Sequence, residues 1–247
     1  MRRLLALAAA PLALLLTGCF DFTEEVHVHR DHSARVTWTY GFDERDLGPD
    51  QVEAFKRDFE ESARELAGRE GVSGADSRYA LDDGLHQFTL DVSLTHYRSV
   101  EGLQAQARRM AVQRGVLASE GVSPIRFEEL EGGKLRFVRQ LAPEGESFRK
   151  AAAAATALRA LRGDQEPRQH RMTFRLHAPR IEGAEGATAL GGASAEWSYT
   201  FEDEEVPGAL TAQVGFAPAV PWGLVFVGAG AAAGFVWLRR KWQRRWE

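Results

Sequence analysis

The densest group of possible metal ligands is the segment HVHRDH, residues 27–32. His27 and His29 are two residues apart, so on a β-strand they share one face with Glu25, and His32 follows in a turn. Imidazole and carboxylate groups are common zinc ligands. A solvent-exposed strand face is the simpler interpretation, because nothing in the sequence supplies a ligand from elsewhere. We therefore predict no metal site and no cofactor. The other histidines are scattered and suggest no pairing: His86, His96, His170 and His177.

Motifs for catalysis are absent from the sequence. It contains no H-E-x-x-H zinc motif, no phosphate-binding glycine loop and no G-x-S-x-G nucleophile elbow. The acidic pairs at Asp82-Asp83 and at residues 202–205 are typical of turns and solvated surface, where carboxylates lack the apolar pocket that acid-base catalysis needs. We predict that the protein is not an enzyme.

Cys19 is the single cysteine of the 247-residue chain, and it points to attachment rather than to redox chemistry. It follows a basic start and an apolar run from Leu4 to Leu16, the layout of an export signal. The residues Leu16 to Cys19 resemble the lipobox of bacterial lipoproteins, which predicts removal of residues 1–18 and a lipid on Cys19. The alternative is an ordinary secretory signal with an incidental cysteine.

A second membrane attachment is predicted at residues 219–238. These 20 residues carry no charge, and at ~1.5 Å per residue they reach ~30 Å, the thickness of a hydrocarbon core. The basic tail 239–247 follows, so by the positive-inside rule the tail is cytoplasmic and residues 19–218 form an extracytoplasmic domain. Gly230 and Gly234 form a small-xxx-small pair that permits self-association. A buried globular helix is the alternative.

The charge distribution argues against nucleic acid as a partner. The net charge is −4, and seven basic residues near the two ends, offset by Glu247, contribute +6 to it, so the rest of the chain carries −10. Such an acidic body repels phosphate backbones.

Alternating apolar residues between the two attachments predict strands in hairpins. Turns are expected at Asp31-His32-Ser33, at Asp83-Gly84 and at Gly132-Gly133, and three single strands are expected near Phe174, Trp197 and Ala212. Helices are predicted from Asp50 to Ala67, from Val100 to Arg114 and from Ser147 to Arg162. The predicted fold is α+β: an antiparallel sheet of hairpins with helices packed mainly on one side, plus one C-terminal transmembrane helix.

Four aromatic residues could line an apolar cleft between the sheet and its helices: Trp38, Phe55, Phe59 and Trp197. Two membrane attachments would hold such a cleft close to lipid headgroups. Aromatic residues at these spacings are more often simply core.

The whole layout resembles the LppM-type bacterial lipoproteins. The resemblance is carried by the lipobox, the hairpin VHVHRDHSARVTWTYGF, the segment MTFRLHAPRIEGAEGATALGGASAEWSYTF, and the final apolar helix with its basic tail. It implies an α+β envelope domain and, in the mycobacterial member, a role in binding lipids or glycolipids. No catalytic residues come with it, and the alanine-rich helix and charged insertions of this sequence depart from that member.

Two functions follow as hypotheses. The first is a doubly anchored lipoprotein of the bacterial cell membrane whose extracytoplasmic domain binds membrane lipid or glycolipid. The second is a structural or accessory subunit that engages another membrane protein.

Overall fold

A computed structural model describes residues 20–103, 125–141, 171–200 and 207–216. These residues are mostly β-strand, with helix α1 over Pro49–Ala67 and helical residues at 99–103, which fits the predicted α+β class. The strands, in chain order, are β1 Phe20–Val28, β2 Ala34–Asp43, β3 Val72–Asp82, β4 Leu85–Leu94, β5 Ile125–Leu130, β6 Lys134–Gln140, β7 Arg171–His177, β8 Ile181–Glu185, β9 Ala189–Leu190, β10 Ser194–Thr200 and β11 Ala209–Gly215.

The three predicted hairpins are confirmed as β1–β2, β3–β4 and β5–β6. Asp83 and Gly84 both have positive φ, at 47° and 70°, which is the conformation of a two-residue type I′ turn. The turn between β5 and β6 contains a short 3₁₀ segment, Glu131–Gly133, in which Gly132 and Gly133 have φ of 77° and 72°. Turn residues that tolerate positive φ therefore fix where each hairpin reverses.

Helix α1 also forms where it was predicted. Pro49 begins the helix, where its fixed φ suits the first turn, and the side chain of Gln51 accepts a hydrogen bond from the Gly48 amide at 2.8 Å. Phe55 and Phe59 project from one face of the helix toward Phe88 of β4, at ring-centroid distances of 5.2 and 5.6 Å. The helix therefore covers one end of the sheet through aromatic packing.

The prediction of one antiparallel sheet is wrong. The strands form two sheets: a seven-stranded sheet in the order β3-β4-β2-β1-β7-β10-β9 and a four-stranded sheet in the order β5-β6-β11-β8. Within the larger sheet β1 and β7 are parallel, with His27 beside His177. Alternation shows which side of a strand is buried but not which strand lies beside it, so the sequence did not reveal this pairing. Strands β8 and β9 were not predicted, since their apolar residues do not alternate clearly.

The core lies between the inner faces of the two sheets. Val26, Val36 and Trp197 of the larger sheet and Leu210 and Val214 of the smaller one belong to one buried cluster. Hairpin β5–β6 therefore belongs to a second packing layer, which is the smaller sheet. Around α1 a separate cluster contains Phe42, Leu47, Val52 and Phe88.

The chain enters the described domain at one end of β1 and leaves it, after β11, near the other end of β1. Strand β1 begins at Phe20, and its other end leads into the turn that contains His32. Phe216, directly after β11, stacks on His32 with ring centroids 4.6 Å apart and an interplanar angle of 5°. Phe20 and Val28, the two ends of this nine-residue strand, are eight steps of ~3.3 Å apart, so these two exits are separated by ~26 Å.

Several predicted segments lie outside the described residues. These are the signal peptide 1–18, Cys19, most of the helix Val100 to Arg114, the helix Ser147 to Arg162, the apolar span 219–238 with Gly230 and Gly234, and the tail 239–247. Among the residues that are described, no helix is both long and apolar enough to span a bilayer.

Candidate functional site

The four aromatic residues predicted to line a cleft fall into two clusters. Trp38, 7% exposed, and Trp197, fully buried, belong to the core between the sheets. Phe55 and Phe59 belong to the cluster between α1 and β4. The indole nitrogen of Trp197 donates to the carbonyl of Glu185 at 2.8 Å, which fixes this ring within the core. The structure therefore does not gather the four residues around one cavity.

A buried ion pair lies between the sheets. Arg139 of β6 donates to the carboxylate of Glu24 of β1 at 2.8 Å, and each side chain is 3% exposed. Trp38 donates to the other carboxylate oxygen at 2.9 Å. The Arg139 guanidinium also lies 5.6 Å from the centre of the Phe174 ring. This closed arrangement of charge and aromatic rings links the two sheets and offers no open position to a ligand.

A groove of about 560 Å³ lies on the outer face of the smaller sheet. Thr211 and Gln213 project into it from β11, beside Arg136 of β6 and Gly183 of β8. A volume of this size falls within the ~300–1,000 Å³ of small-molecule sites. Its polar lining residues are Glu128, Arg136, Glu182, Glu185, Thr211 and Gln213.

Charges within the groove are largely paired by neighbours. Arg136 lies 3.6 Å from Glu128, Lys134 donates to Glu182 at 2.6 Å, and Thr211 donates to Glu185 at 3.3 Å. The hydrogen bond from Lys134 holds the pKa of Glu182 below its ordinary value of 4.5, so this carboxylate stays ionised at neutral pH. The single guanidinium of the lining, Arg136, already lies beside Glu128, so an anionic ligand would have to compete with that carboxylate for it.

The groove can instead satisfy a ligand with many hydroxyl groups. Arg136 and Gln213 supply N–H donors, the carboxylates and the Gln213 carbonyl supply acceptors, and the Thr211 hydroxyl can do either. Gly183 leaves the groove open at one side, since a Cβ built there would have no heavy atom within 4 Å. Sequence reasoning missed this site, because its polar residues are typical of any solvent-facing strand and β8 was not predicted.

The outer face of the larger sheet brings together His27, one of the three histidines of the segment HVHRDH, and His177, for which the sequence suggested no partner. Glu25 and His27 lie on this face as expected, with a carboxylate oxygen and Nε2 3.6 Å apart. His177 of β7 stacks on His27 at a centroid distance of 4.2 Å. His32 stacks on Phe216 at the end of the domain and takes no part.

Comparisons with known proteins give one distant structural neighbour. No model of a known protein family matches the sequence, and no curated protein matches it. The chain is similar to the NMR structure of the folded domain of LppM from Mycobacterium tuberculosis, with 8% sequence identity and a TM-score of 0.42. The similarity covers 82% of this chain and 94% of that domain. The neighbour is of the LppM type that the sequence resembles.

Proposed function

We propose that the protein is a non-catalytic lipoprotein of the bacterial cell membrane, whose extracytoplasmic domain binds the sugar headgroup of a membrane glycolipid in the groove. The observation that carries the proposal is the groove itself: a polar, hydroxyl-complementary site on β11, the strand that leads to the apolar span 219–238.

The chain between the groove and this span is short. Six peptide units separate Gln213 from Ala219, and an extended chain covers at most ~3.3–3.6 Å per residue. Gln213 therefore lies within ~22 Å of the proposed start of the membrane segment. A ligand that is itself a membrane lipid, with its headgroup at the bilayer surface, suits a site held at that distance.

The two proposed attachments also restrict the orientation of the domain. A lipid on Cys19 would precede β1 directly, whereas the apolar span follows Phe216 at the opposite end of β1. If both attachments enter one bilayer, β1 has to lie along the membrane surface. An upright domain would lift one of its ends by about the strand length of ~26 Å.

A sugar headgroup fits the groove better than the other parts of a lipid. Acyl chains need an apolar cavity, and the described residues provide aromatic clusters that are already filled. Phosphate headgroups would meet Glu128, Glu182 and Glu185. A neutral sugar can exchange hydrogen bonds with these carboxylates and with Arg136 and Gln213 without a charge conflict.

The test uses the full chain in detergent micelles and three lipids with the same acyl chains. These are a diglucosyl diacylglycerol, a phosphatidylglycerol and a diacylglycerol without a headgroup, and the lipid retained on the immobilised protein is quantified by mass spectrometry. We expect selective retention of the glycolipid. Equal retention of all three, or preference for either of the other two, would contradict the proposal.

A pair of glycine variants makes the test specific to the groove. Gly183→Leu adds a side chain where a Cβ meets no neighbour, so it should fill the groove without disturbing the sheet. Gly192→Leu is the matched control, because a Cβ there also meets no neighbour and Gly192 does not line the groove. Glycolipid retention should fall in the first variant alone; an equal effect of both, or of neither, would place the ligand elsewhere.

A further inference from the structure

The outer face of the larger sheet holds a group of three potential metal ligands. Glu25 and His27 alternate along β1, and the parallel register places His177 of β7 beside His27. A carboxylate oxygen and one nitrogen from each ring all lie within 4.8 Å of one another. All three side chains are half-buried, so they remain accessible from solvent.

From this geometry we infer that Glu25, His27 and His177 form a binding site for a zinc-type divalent transition-metal ion. Two imidazoles and one carboxylate are a known ligand set for Zn²⁺, with bonds of ~2.0–2.2 Å and an open position for water or another ligand. Hard ions such as Ca²⁺ and Mg²⁺ need more oxygen ligands than this group supplies. The site lies on a different sheet from the groove and does not depend on the proposed function.

Only small movements separate the observed arrangement from a coordinated one. Ligands placed ~2.1 Å from a tetrahedral ion are ~3.4 Å from each other, whereas Glu25 and His27 are 3.6 Å apart and the whole group lies within 4.8 Å. Rotation of the stacked rings about their side-chain bonds can provide the remaining ~1.4 Å.

Arg175 already orients the carboxylate of this group. Its guanidinium donates to one oxygen of Glu25 at 2.7 Å and to Glu196 at 2.7 Å, while the other Glu25 oxygen faces His27. A ligand held in this way by an outer partner is typical of metal sites. Arg175 also pairs with Glu196, and the nearby Arg35 pairs with Asp91, which Arg78 contacts as well at 3.3 Å.

The protonation states of two of the ligands also suit a metal ion. Burial and the neighbouring His177 lower the pKa of His27 below its usual range despite the hydrogen bond with Glu25, which favours the neutral, metal-binding imidazole. Burial opposes ionisation of Glu25, but the hydrogen bonds and charges of Arg175 and His27 together outweigh it and hold the pKa of that carboxyl below its usual value.

The test measures Zn²⁺ binding to the full chain in detergent micelles, purified with a tag that contains no histidine. Competition with a chromophoric zinc chelator should show one Zn²⁺ per chain. Co²⁺ bound in its place should give the intense visible absorption of a four-coordinate site. If the wild-type protein binds less than one Zn²⁺ per chain at pH ~7.5, the inference is overturned, and no variant is needed to show it.

Single substitutions assign the ligands. His27→Gln and His177→Gln should each weaken Zn²⁺ binding by at least about tenfold. Even the loss of a residue that only hydrogen-bonds to a metal ligand costs about that much. His86→Gln is the control, since His86 bonds Tyr79 at 2.8 Å and lies outside the group. Circular dichroism verifies that each variant is folded. Zinc affinity unchanged in both ligand variants, or reduced equally in the control, would overturn the assignment.

Discussion

The buried pair of Glu24 and Arg139 gives the sharpest prediction about stability. Substituting Arg139 by Met keeps much of the side-chain volume but removes the cation, 2.8 Å from a carboxylate that is 3% exposed. At an effective dielectric constant of ~20, two unit charges ~4 Å apart attract by ~4 kcal/mol. Breaking a buried pair from one side costs ~3–5 kcal/mol. We therefore expect Arg139→Met to lower the free energy of unfolding by ~3–5 kcal/mol.

The same strand provides the control. Arg136 is three residues away on the outer face of β6, 47% exposed, and 3.6 Å from Glu128. Exposed pairs contribute ~0.2–1 kcal/mol, so Arg136→Met should cost less than ~1 kcal/mol. Adding Glu24→Gln to Arg139→Met removes the stranded charge and keeps an acceptor for the Trp38 N–H. The double variant should be more stable than Arg139→Met by ~1–3 kcal/mol.

Urea unfolding of the full chain in a mild detergent, followed by tryptophan fluorescence, measures these differences. With an m-value of ~2.5 kcal/mol/M, the loss in Arg139→Met corresponds to a fall of ~1–2 M in the urea midpoint. If Arg139→Met and Arg136→Met shift the midpoint equally, or if Glu24→Gln gives no recovery, the pair does not couple the sheets as reasoned.

Three further predictions concern the aromatic cluster, the groove and the attachment. Phe88 is fully buried against Phe42, Phe55 and Phe59, so Phe88→Ala should cost ~3–5 kcal/mol in urea unfolding; a cost below ~1 kcal/mol would contradict the packing. Lys134→Met should raise the pKa of Glu182 toward 4.5, measured by carboxyl ¹³C NMR. In the wild type that lowered pKa contributes stability above pH ~4.5 that is lost as the pH falls through the folded-state value, and an unchanged pKa in the variant would exclude Lys134 as the cause. Cys19→Ser should abolish labelling by radioactive fatty acid and leave residues 1–18 attached, whereas normal labelling and cleavage would refute acylation at Cys19.

Much of the local structure follows from the sequence because it depends on neighbouring residues. The alternation of Val36, Trp38 and Tyr40 predicted a strand, and Asp83-Gly84 predicted a tight turn. Pro49 and the spacing of Phe55 and Phe59 predicted α1. In each case the conformation and its signal lie within a few residues of each other.

The partition into two sheets could not be predicted in the same way. Strands β1 and β7 pair in parallel although Glu25 and Arg175 are 150 residues apart. A polar face on β1 is equally compatible with solvent, a ligand site or an ion-pair network. The sequence around His177 likewise does not show which of these the histidine faces. The histidine group therefore becomes visible only once the long-range register is known.

The orientation of the domain on the membrane links the proposal for the groove to the proposal for the histidine group. They lie on the outer faces of the two stacked sheets, so they point away from each other and one flat surface cannot cover both. If the groove meets the bilayer as proposed, His27 and His177 face the aqueous side. In vesicles that contain the full chain facing outward, a membrane-impermeant chelator should then remove zinc as fast as it does from micelles. Slow removal in vesicles alone would place the histidine face on the membrane and turn the groove away, which would argue against glycolipid binding there even if the zinc site itself is real.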